Sequence, residues 1–414
     1  MTSFSIQSFG CRVNQAEAFS WADEFQKHGF KYEKDFFNSD LVLVNTCTLT
    51  SRADRDVRHF LKRTFRLNPN AKLIVTGCFA ERAAEELKKF PQVWQVFSNR
   101  KKEELPAKII SLIGPTAEDS RTSYRSRALV KVQDGCSLNC SFCIIPQVRG
   151  RNKSTKPDII LQRVSDYLEQ GFQEIVLTGI HVCLYGSDFS PRLTFLDLLK
   201  KMEGLKEPVR IRLSSLDPRF MSEELLEHLA TSDLICPHFH LSLQHGSEDV
   251  LKRMGRRVKI SDYERILRFL RDKRATSSLG ADILVGFPGE SDLEFKKMFQ
   301  FLKKSPLTYF HVFPFSPRPG TEAENWSPVN DKIKKERAAQ LRQMSLEKNL
   351  NFRRSKIGME LDAVVIKKGK QKTRVLTGNY IEVQIPSCPA ENKERIKVRI
   401  TRVTEQQTFG QILQ

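Results

Sequence analysis

Phe4, Ile6 and Ser8 alternate with Ser5, Gln7 and Phe9 before Gly10 and Cys11 break the run, a period of two that predicts a strand. Ala18, Trp21, Ala22 and Phe25 then recur at helical spacing, and the apolar run Leu41-Val42-Leu43-Val44 leads into Asn45-Thr46-Cys47. Val57, Phe60, Leu61 and Thr64 mark a second helix, and Lys72-Leu73-Ile74-Val75-Thr76 leads into Gly77-Cys78. Three times a strand ends and a cysteine follows. In an open parallel α/β sheet the loops after the carboxyl ends of the strands share one edge, where ligands bind, so Cys11, Cys47 and Cys78 should meet there. A single strand-end cysteine would mean little, because free cysteine is commonly just buried. Two of these three follow a glycine that lets the backbone approach closely, which favours a shared ligand.

The stretch from Gly114-Pro115 to Arg127 has no periodicity and reads as a linker. Beyond it, strands at Ala128 to Gln133, Glu174 to Thr178, Val209 to Leu213, Phe239 to Leu243, Ala281 to Val285 and Tyr309 to Phe315 alternate with helices. Those helices are expected at Pro157 to Gln170, near Leu193 to Met202, and at Ser222 to Ala230, Asp262 to Arg271 and Asp292 to Lys303. Six parallel βα units predict a partial barrel whose active edge is the carboxyl end of its strands. A charged helix over Asp331 to about Arg354 should cross to a last segment of short strands at 363–366, 373–376, 381–385 and 396–400. A turn at Gly378-Asn379 and interleaved basic side chains predict a small antiparallel β-barrel, OB-like, of a kind that holds oligonucleotides. The fold class is thus α/β: an open N-terminal α/β domain (1–113), a partial (βα)6 barrel (122–350) and a C-terminal β-barrel (351–414).

The run Gly135-Cys136-Ser137-Leu138-Asn139-Cys140-Ser141-Phe142-Cys143 adds chemistry to the loop after the first barrel strand. Three thiolates at this spacing suit an iron–sulfur cluster, with one iron left open for a ligand that is not protein. Structural zinc would want a fourth N or S ligand from a paired CxxC unit, and none follows. An odd cysteine count without a secretory signal argues against a disulfide framework. Cys183, Cys236 and Cys388 lack any such spacing, and packing is the expectation for them. The formal charge of +19 over 414 residues points to a polyanionic partner, nucleic acid first. No apolar run spans a bilayer, and no presequence precedes the first strand, so a cytoplasmic location is expected.

Together these residues resemble the radical S-adenosylmethionine (SAM) methylthiotransferases over nearly the full length. The resemblance rests on Gly10-Cys11-Arg12-Val13-Asn14, Val44-Asn45-Thr46-Cys47-Thr48, Val75-Thr76-Gly77-Cys78, Gly135-Cys136 through Cys143-Ile144-Ile145-Pro146, Ser242-Leu243-Gln244-His245-Gly246-Ser247 and Val285-Gly286-Phe287-Pro288-Gly289-Glu290. It implies two [4Fe-4S] clusters, an auxiliary one on Cys11, Cys47 and Cys78 and a SAM-cleaving one on Cys136, Cys140 and Cys143. It also implies a C-terminal TRAM domain for RNA. In such a reaction one SAM methylates sulfur at the auxiliary cluster. A second is cleaved to a radical that removes hydrogen from an unactivated carbon, where the methylthio group is placed. Gly179, Ser215 and Gln244, near strand ends, are candidates to cradle SAM, against the plainer reading of each as simply a loop or turn residue, which a lone polar strand-end position favours.

The wording around the first two cysteines is most similar to the branch acting on N6-threonylcarbamoyladenosine beside the anticodon of tRNA, with Arg12 in place of a commoner lysine. The resemblance further implies tRNA, a flavodoxin or ferredoxin type reductant and a sulfur donor as partners. Alternatives are the branches acting on isopentenyladenosine tRNA or on a ribosomal protein aspartate, and a non-catalytic zinc-binding RNA module.

Overall fold

The computed structural model describes residues 2–114, 125–205 and 209–413, so most of the expected linker lies outside the described residues. The chain packs as two compact units, each discontinuous in sequence: 1–124 with 134–153 and 316–324, and 125–133 with 154–315 and 325–414.

The first unit is built on β1 (Ser3–Ser8), α1 (Arg12–Lys27), β2 (Lys31–Tyr32), β3 (Leu41–Thr46), α2 (Ser51–Leu67), β4 (Lys72–Gly77), α3 (Cys78–Arg82), α4 (Ala84–Leu87), β5 (Val93–Val96) and α5 (Leu105–Ile113). Its five strands are all parallel, in the order β2-β1-β3-β4-β5. Alternation of side chains along a strand divides the core in two. Phe4, Leu41, Leu43 and Ile74 bury one face with Trp21, Ala22 and Phe25 of α1 and Leu105 and Ile109 of α5. Val42, Val44, Leu73 and Val75 bury the other with Val57 and Leu61 of α2 and with Phe79 and Leu87. Because β3 is wholly covered on both faces, it reads as a continuous apolar run. Both the cysteine loop and the short α6 (Ile145–Arg149) that follows it belong to this unit.

The second unit carries the expected half barrel. Past β6 (Ala128–Lys131), the short strands β7 (Gln133–Asp134) and β8 (Lys153–Ser154) bracket the cysteine loop. There follow α7 (Pro157–Glu169), β9 (Glu174–Thr178), α8 (Phe195–Glu203), β10 (Arg210–Leu213), α9 (Glu223–Thr231), β11 (His238–Gln244), α10 (Glu248–Arg253), α11 (Ile260–Lys273), β12 (Ser278–Val285), α12 (Asp292–Lys304), β13 (Tyr309–Pro314) and α13 (Asp331–Arg354). Two parallel sheets, β10-β9-β6 and β11-β12-β13, are joined by the parallel bridges Ile211 to Ile235 and Leu216 to Leu241, giving six parallel strands in barrel order.

A closed barrel of β14 (Glu360–Lys367), β15 (Lys372–Thr377), β16 (Glu382–Pro386), β17 (Arg395–Val403) and β18 (Thr408–Ile412) completes this unit. The sequence pattern showed four of these strands. β18 closes the barrel through antiparallel pairs with β17 and one parallel pair, Gln384 with Phe409, to β16. Among the described residues no helix is long and apolar enough to cross a membrane.

Candidate active site

Cys11 stands at the start of α1, Cys47 follows β3 and Cys78 opens α3, so three neighbouring parallel strands deliver the three thiols to one edge of the sheet. The glycines before two of them are required by space. At Gly10 (φ +92°) a Cβ would lie 2.5 Å from Cys47 Cβ and 2.6 Å from its Sγ. At Gly77 (φ +98°) a Cβ would lie 2.4 Å from the Thr46 carbonyl oxygen. Burial pushes the Cys47 thiol up to about 12, against the Leu49 amide that donates to it, while Cys78 and Cys11 push it up further. Burial raises the Cys78 thiol as well, opposed by the Arg149 guanidinium. A buried neutral thiol is inert, and a metal that replaces its proton turns it into a ligand.

Nitrogen and amide groups crowd these sulfurs. Cys11 Sγ donates to Asn14 Oδ1 at 3.2 Å, Asn99 Nδ2 lies 3.9 Å from Cys78 Sγ, and Arg149 Nε donates to Cys78 Sγ at 3.1 Å. Asn14 Nδ2 in turn donates to Asn45 Oδ1 and to the Thr46 carbonyl, and Asn45 Nδ2 donates to Glu17 Oε2, which ties the first two cysteine turns together. The turn after Cys47 is fixed by Asp54, which accepts from Arg82 at 2.7 Å and Arg318 at 2.6 Å. Three thiols on one sheet edge with N–H donors aimed at sulfur are a donor set suited to an iron–sulfur cluster. Among the described residues no group of three or more His, Cys, Asp or Glu forms a ready-made metal-ion site, so the assignment rests on the chemistry of these donors.

The second cysteine set lies in the same unit. Cys136 is buried, Cys140 and Cys143 are partly exposed, and the loop is held by Cys136 N to Gly150 O at 3.0 Å and Cys143 N to Cys140 O at 3.0 Å. Behind it, Ile144 and Val148 pack on Cys78 itself.

In the other unit, Gly179, Ser215 and Gln244 stand at the carboxyl ends of β9, β10 and β11. A Cβ at Gly179 would lie 2.8 Å from Gln133 Oε1, which accepts from the His181 amide. Ser215 Oγ is buried without a hydrogen-bond partner, a vacancy that a polar ligand could fill. Gln244 adopts φ +80° where the β11–β12 register slips, and such backbone strain in a non-glycine residue concentrates at functional positions.

Sequence reasoning missed the hub beside them. Burial would raise the Asp217 carboxyl, but hydrogen bonds from His181 and Arg219 and the charges of Arg256 and Arg219 outweigh it and hold the group well below the usual carboxylate range. Its contacts are His181 Nε2 at 3.2 Å, Arg219 Nη2 at 2.7 Å and Arg256 Nη2 at 3.0 Å. Arg219 is a near neighbour in sequence, but His181 and Arg256 come from stretches 36 and 39 residues away and leave no periodic signal. In the recognised motifs, Glu290 accepts from the Gly286 amide at 2.7 Å and from Arg337 of α13, and lies 3.4 Å from His245. That pairing fastens the barrel to its crossing helix. Cys236 is buried and Cys183 half-buried, and desolvation pushes their thiols up to about 11 and about 12, while Cys388 sits in the core of the closed barrel; all three pack, as their spacing suggested.

Residues 130–302 match the radical SAM superfamily, and residues 3–98 match the uncharacterized protein family UPF0004. The threonylcarbamoyladenosine tRNA methylthiotransferase MtaB of Aquifex aeolicus is 35% identical over 400 residues, covering 92% of this chain and 96% of that protein. The chain belongs to the radical SAM methylthiotransferase family. Further bacterial relatives at 32–36% identity carry the same description. A tRNA-2-methylthio-N(6)-dimethylallyladenosine synthase of Dictyoglomus thermophilum is 30% identical, covering 98% of this chain and 96% of that one. Among solved structures the radical SAM methyltransferase TsrM of Kitasatospora setae aligns with a TM-score of 0.56 at 16% identity, over 78% of this chain and 77% of that one, a likeness of fold. As a member of this methylthiotransferase family the chain is an enzyme that uses SAM and [4Fe-4S] clusters.

Proposed function

We propose that this methylthiotransferase converts N6-threonylcarbamoyladenosine, beside the anticodon of tRNA, to its 2-methylthio derivative. The observation that carries the reading is the pair of three-cysteine sets in one compact unit, one at the sheet edge and one in the CxxxCxxC loop. Support for this nucleoside comes from the description shared by relatives at 32–36% identity.

Cys136, Cys140 and Cys143 would hold the SAM-cleaving cluster, and Cys11, Cys47 and Cys78 the auxiliary one. Gly179, Ser215 and Gln244 would hold SAM. When bound, these groups supply a carbon radical able to remove a hydrogen that no general base could take. The chain's own residues position and shield. Asp217, kept ionised, orients His181, Arg219 and Arg256 at the strand ends, and buried Asn14 and Asn45 fix the turns that present the thiols. A flavodoxin or ferredoxin type protein would deliver electrons, and a separate donor would restore sulfur, in a cytoplasmic setting.

The functional division remains the 1–113 auxiliary-cluster segment, the 122–350 radical segment and the 351–414 TRAM-like segment, the last docking tRNA through Arg374, Lys397 and Arg399. Arg374 and Arg399 sit in half-exposed ion pairs with Glu382 and Glu360. Such surface pairs are weak in water and can be exchanged for phosphates.

Nucleoside analysis of tRNA from a strain lacking this gene tests the reading. The 2-methylthio derivative of threonylcarbamoyladenosine should vanish, its unmodified precursor should accumulate, and the wild-type gene but not Cys47→Ala should restore it. An unchanged level of that derivative, with loss of methylthio-isopentenyladenosine instead, would assign the enzyme to the other branch.

A further inference from the structure

Arg149 stands six residues past the last cysteine of the CxxxCxxC loop, yet all its partners but Asp134 come from the far N-terminal segment. Its side chain is fully buried, with Nε donating to Cys78 Sγ at 3.1 Å, Nη2 to Asn14 Oδ1 at 2.7 Å, and Nη1 to Glu17 Oε1 at 3.1 Å and Asp134 Oδ1 at 2.8 Å. Lys102, also buried, bonds the same two carboxylates, Glu17 at 2.6 Å and Asp134 at 2.5 Å. Two cations and two anions thus form a balanced buried quartet, the arrangement that lets charges leave water without an unpaired remainder. Asp134 lies two residues before Cys136, and Asn14 and Glu17 lie three and six residues after Cys11. The quartet therefore clamps both ends of the cysteine loop to the helix that carries the first cysteine. Lys102 shares the clamp through the carboxylates, whereas Arg149 bonds both the carboxylates and sulfur.

We propose that Arg149 is a positioning residue that couples the two cysteine sets, seating the CxxxCxxC loop through Glu17 and Asp134 while setting the electron density on Cys78 sulfur through its N–H donor. The proposal rests on Cys78 being a cluster ligand. A buried cation that donates to a ligand sulfur stabilises the more negative, reduced form of a cluster, and the low dielectric around a fully buried group strengthens that effect. Arg149 therefore holds the auxiliary cluster at a higher potential than its cysteines alone would give. Lys102 provides the internal control, because its loss weakens the clamp without touching sulfur.

The experiment uses full-length protein with Cys136, Cys140 and Cys143 all replaced by Ala, reconstituted anaerobically so that only the N-terminal set can hold iron. Iron and sulfide content, thermal unfolding and the midpoint potential are then measured with Arg149, Arg149→Lys, Arg149→Gln and Lys102→Met. Arg149→Gln should move the midpoint to more negative values, Arg149→Lys should move it less in the same direction, and Lys102→Met should lower the unfolding temperature while moving the potential much less than Arg149→Gln does. In the protein with all six cysteines, Arg149→Gln should raise the deoxyadenosine formed per methylthiolated product several-fold. Equal potentials in Arg149→Gln and the parent, or an equal shift from Lys102→Met, would overturn the proposal. Should Arg149→Gln fail to fold, an unshifted potential in Arg149→Lys would overturn it as well. Absence of iron and sulfide from the parent itself would overturn instead the reading of Cys11, Cys47 and Cys78 as ligands, and the proposal with it.

Discussion

One methyl group separates glycine from alanine, and at position 10 the space for it is taken by Cys47, 2.5 Å from Cβ and 2.6 Å from Sγ. With φ at +92° the backbone also stands where a side chain is costly. Gly10→Ala is expected to displace Cys47 and empty the auxiliary site while sparing the CxxxCxxC loop. Iron analysis should then show loss of the iron that the N-terminal set holds, and SAM cleavage under strong reductant should persist. At this scale the sequence spoke clearly about the cysteines and their glycines, because strand ends and turn residues are local signals. It said nothing about Arg149, whose contacts to Asn14 and Glu17 span 135 and 132 positions. Asn14 and Asn45 lay within recognised motifs, but only the folded chain shows that their side-chain amides bond to each other.

Elements were legible where an apolar face or a continuous apolar run was punctuated at its ends. The helix over Asp331–Arg354 and the strand over Glu174–Thr178 fall where periodicity placed them. Besides the two-residue strands Lys31–Tyr32 and Lys153–Ser154, two strands escaped. Val93–Val96 is only four residues, each half-buried, and Thr408–Ile412 alternates weakly around Gly410; neither offers enough apolar contrast to separate it from a loop. Helix starts carry their own local code. Ser291 and Glu294 form a reciprocal capping box on α12, with Ser291 Oγ accepting from the Glu294 amide at 3.3 Å and Glu294 Oε2 accepting from the Ser291 amide at 2.8 Å. Ser291→Ala should cost about 1 kcal/mol of stability, readable as a shift in denaturant midpoint at unchanged slope, with SAM binding intact.

Over the whole molecule, the half barrel and the closed barrel share a buried ionic seam. Glu174 of β9 accepts from Arg212 at 2.7 Å and Arg210 at 2.8 Å; Arg212 also donates to the Gly378 and Thr377 carbonyls, and Arg210 to Asp362. Tyr380 stacks on His238 at 4.3 Å with Arg212 5.1 Å from its ring. The Gly378-Asn379 turn, legible in the sequence as a hairpin turn, is therefore also the plug that seats one barrel on the other, a role that no local pattern encodes. Burial alone would raise Glu174, but the charges of Arg212, Arg210 and Arg127 lower it from 4.5 to about 2. A folded pKa below the unfolded one gives stability that is complete above about 4.5 and lost as the pH falls toward 2, worth roughly 3 kcal/mol. Glu174→Gln should therefore lower stability at neutral pH by about 3–5 kcal/mol, since it strands two buried cations. It should also flatten the acid limb of a stability–pH curve. The same seam makes removal of residues 356–414 a poor test of tRNA docking, because it would uncover these charges; substitutions at Arg374 and Arg399 leave the seam in place.

The interleaving of the two units also sets an order of assembly. Arg318, which bonds Asp54, Thr48 and Ser51 around the turn after Cys47, lies in the 316–324 segment, so the first unit stays incomplete until nearly the whole half barrel has left the ribosome. During that interval the strand-end thiols have been made but their surroundings have not. Iron delivered to a nascent chain would meet a loose site, and iron delivered after release would meet a finished one. A metal site on Cys11, Cys47 and Cys78 would thus be fully framed only once residues 316–324 have joined the first unit.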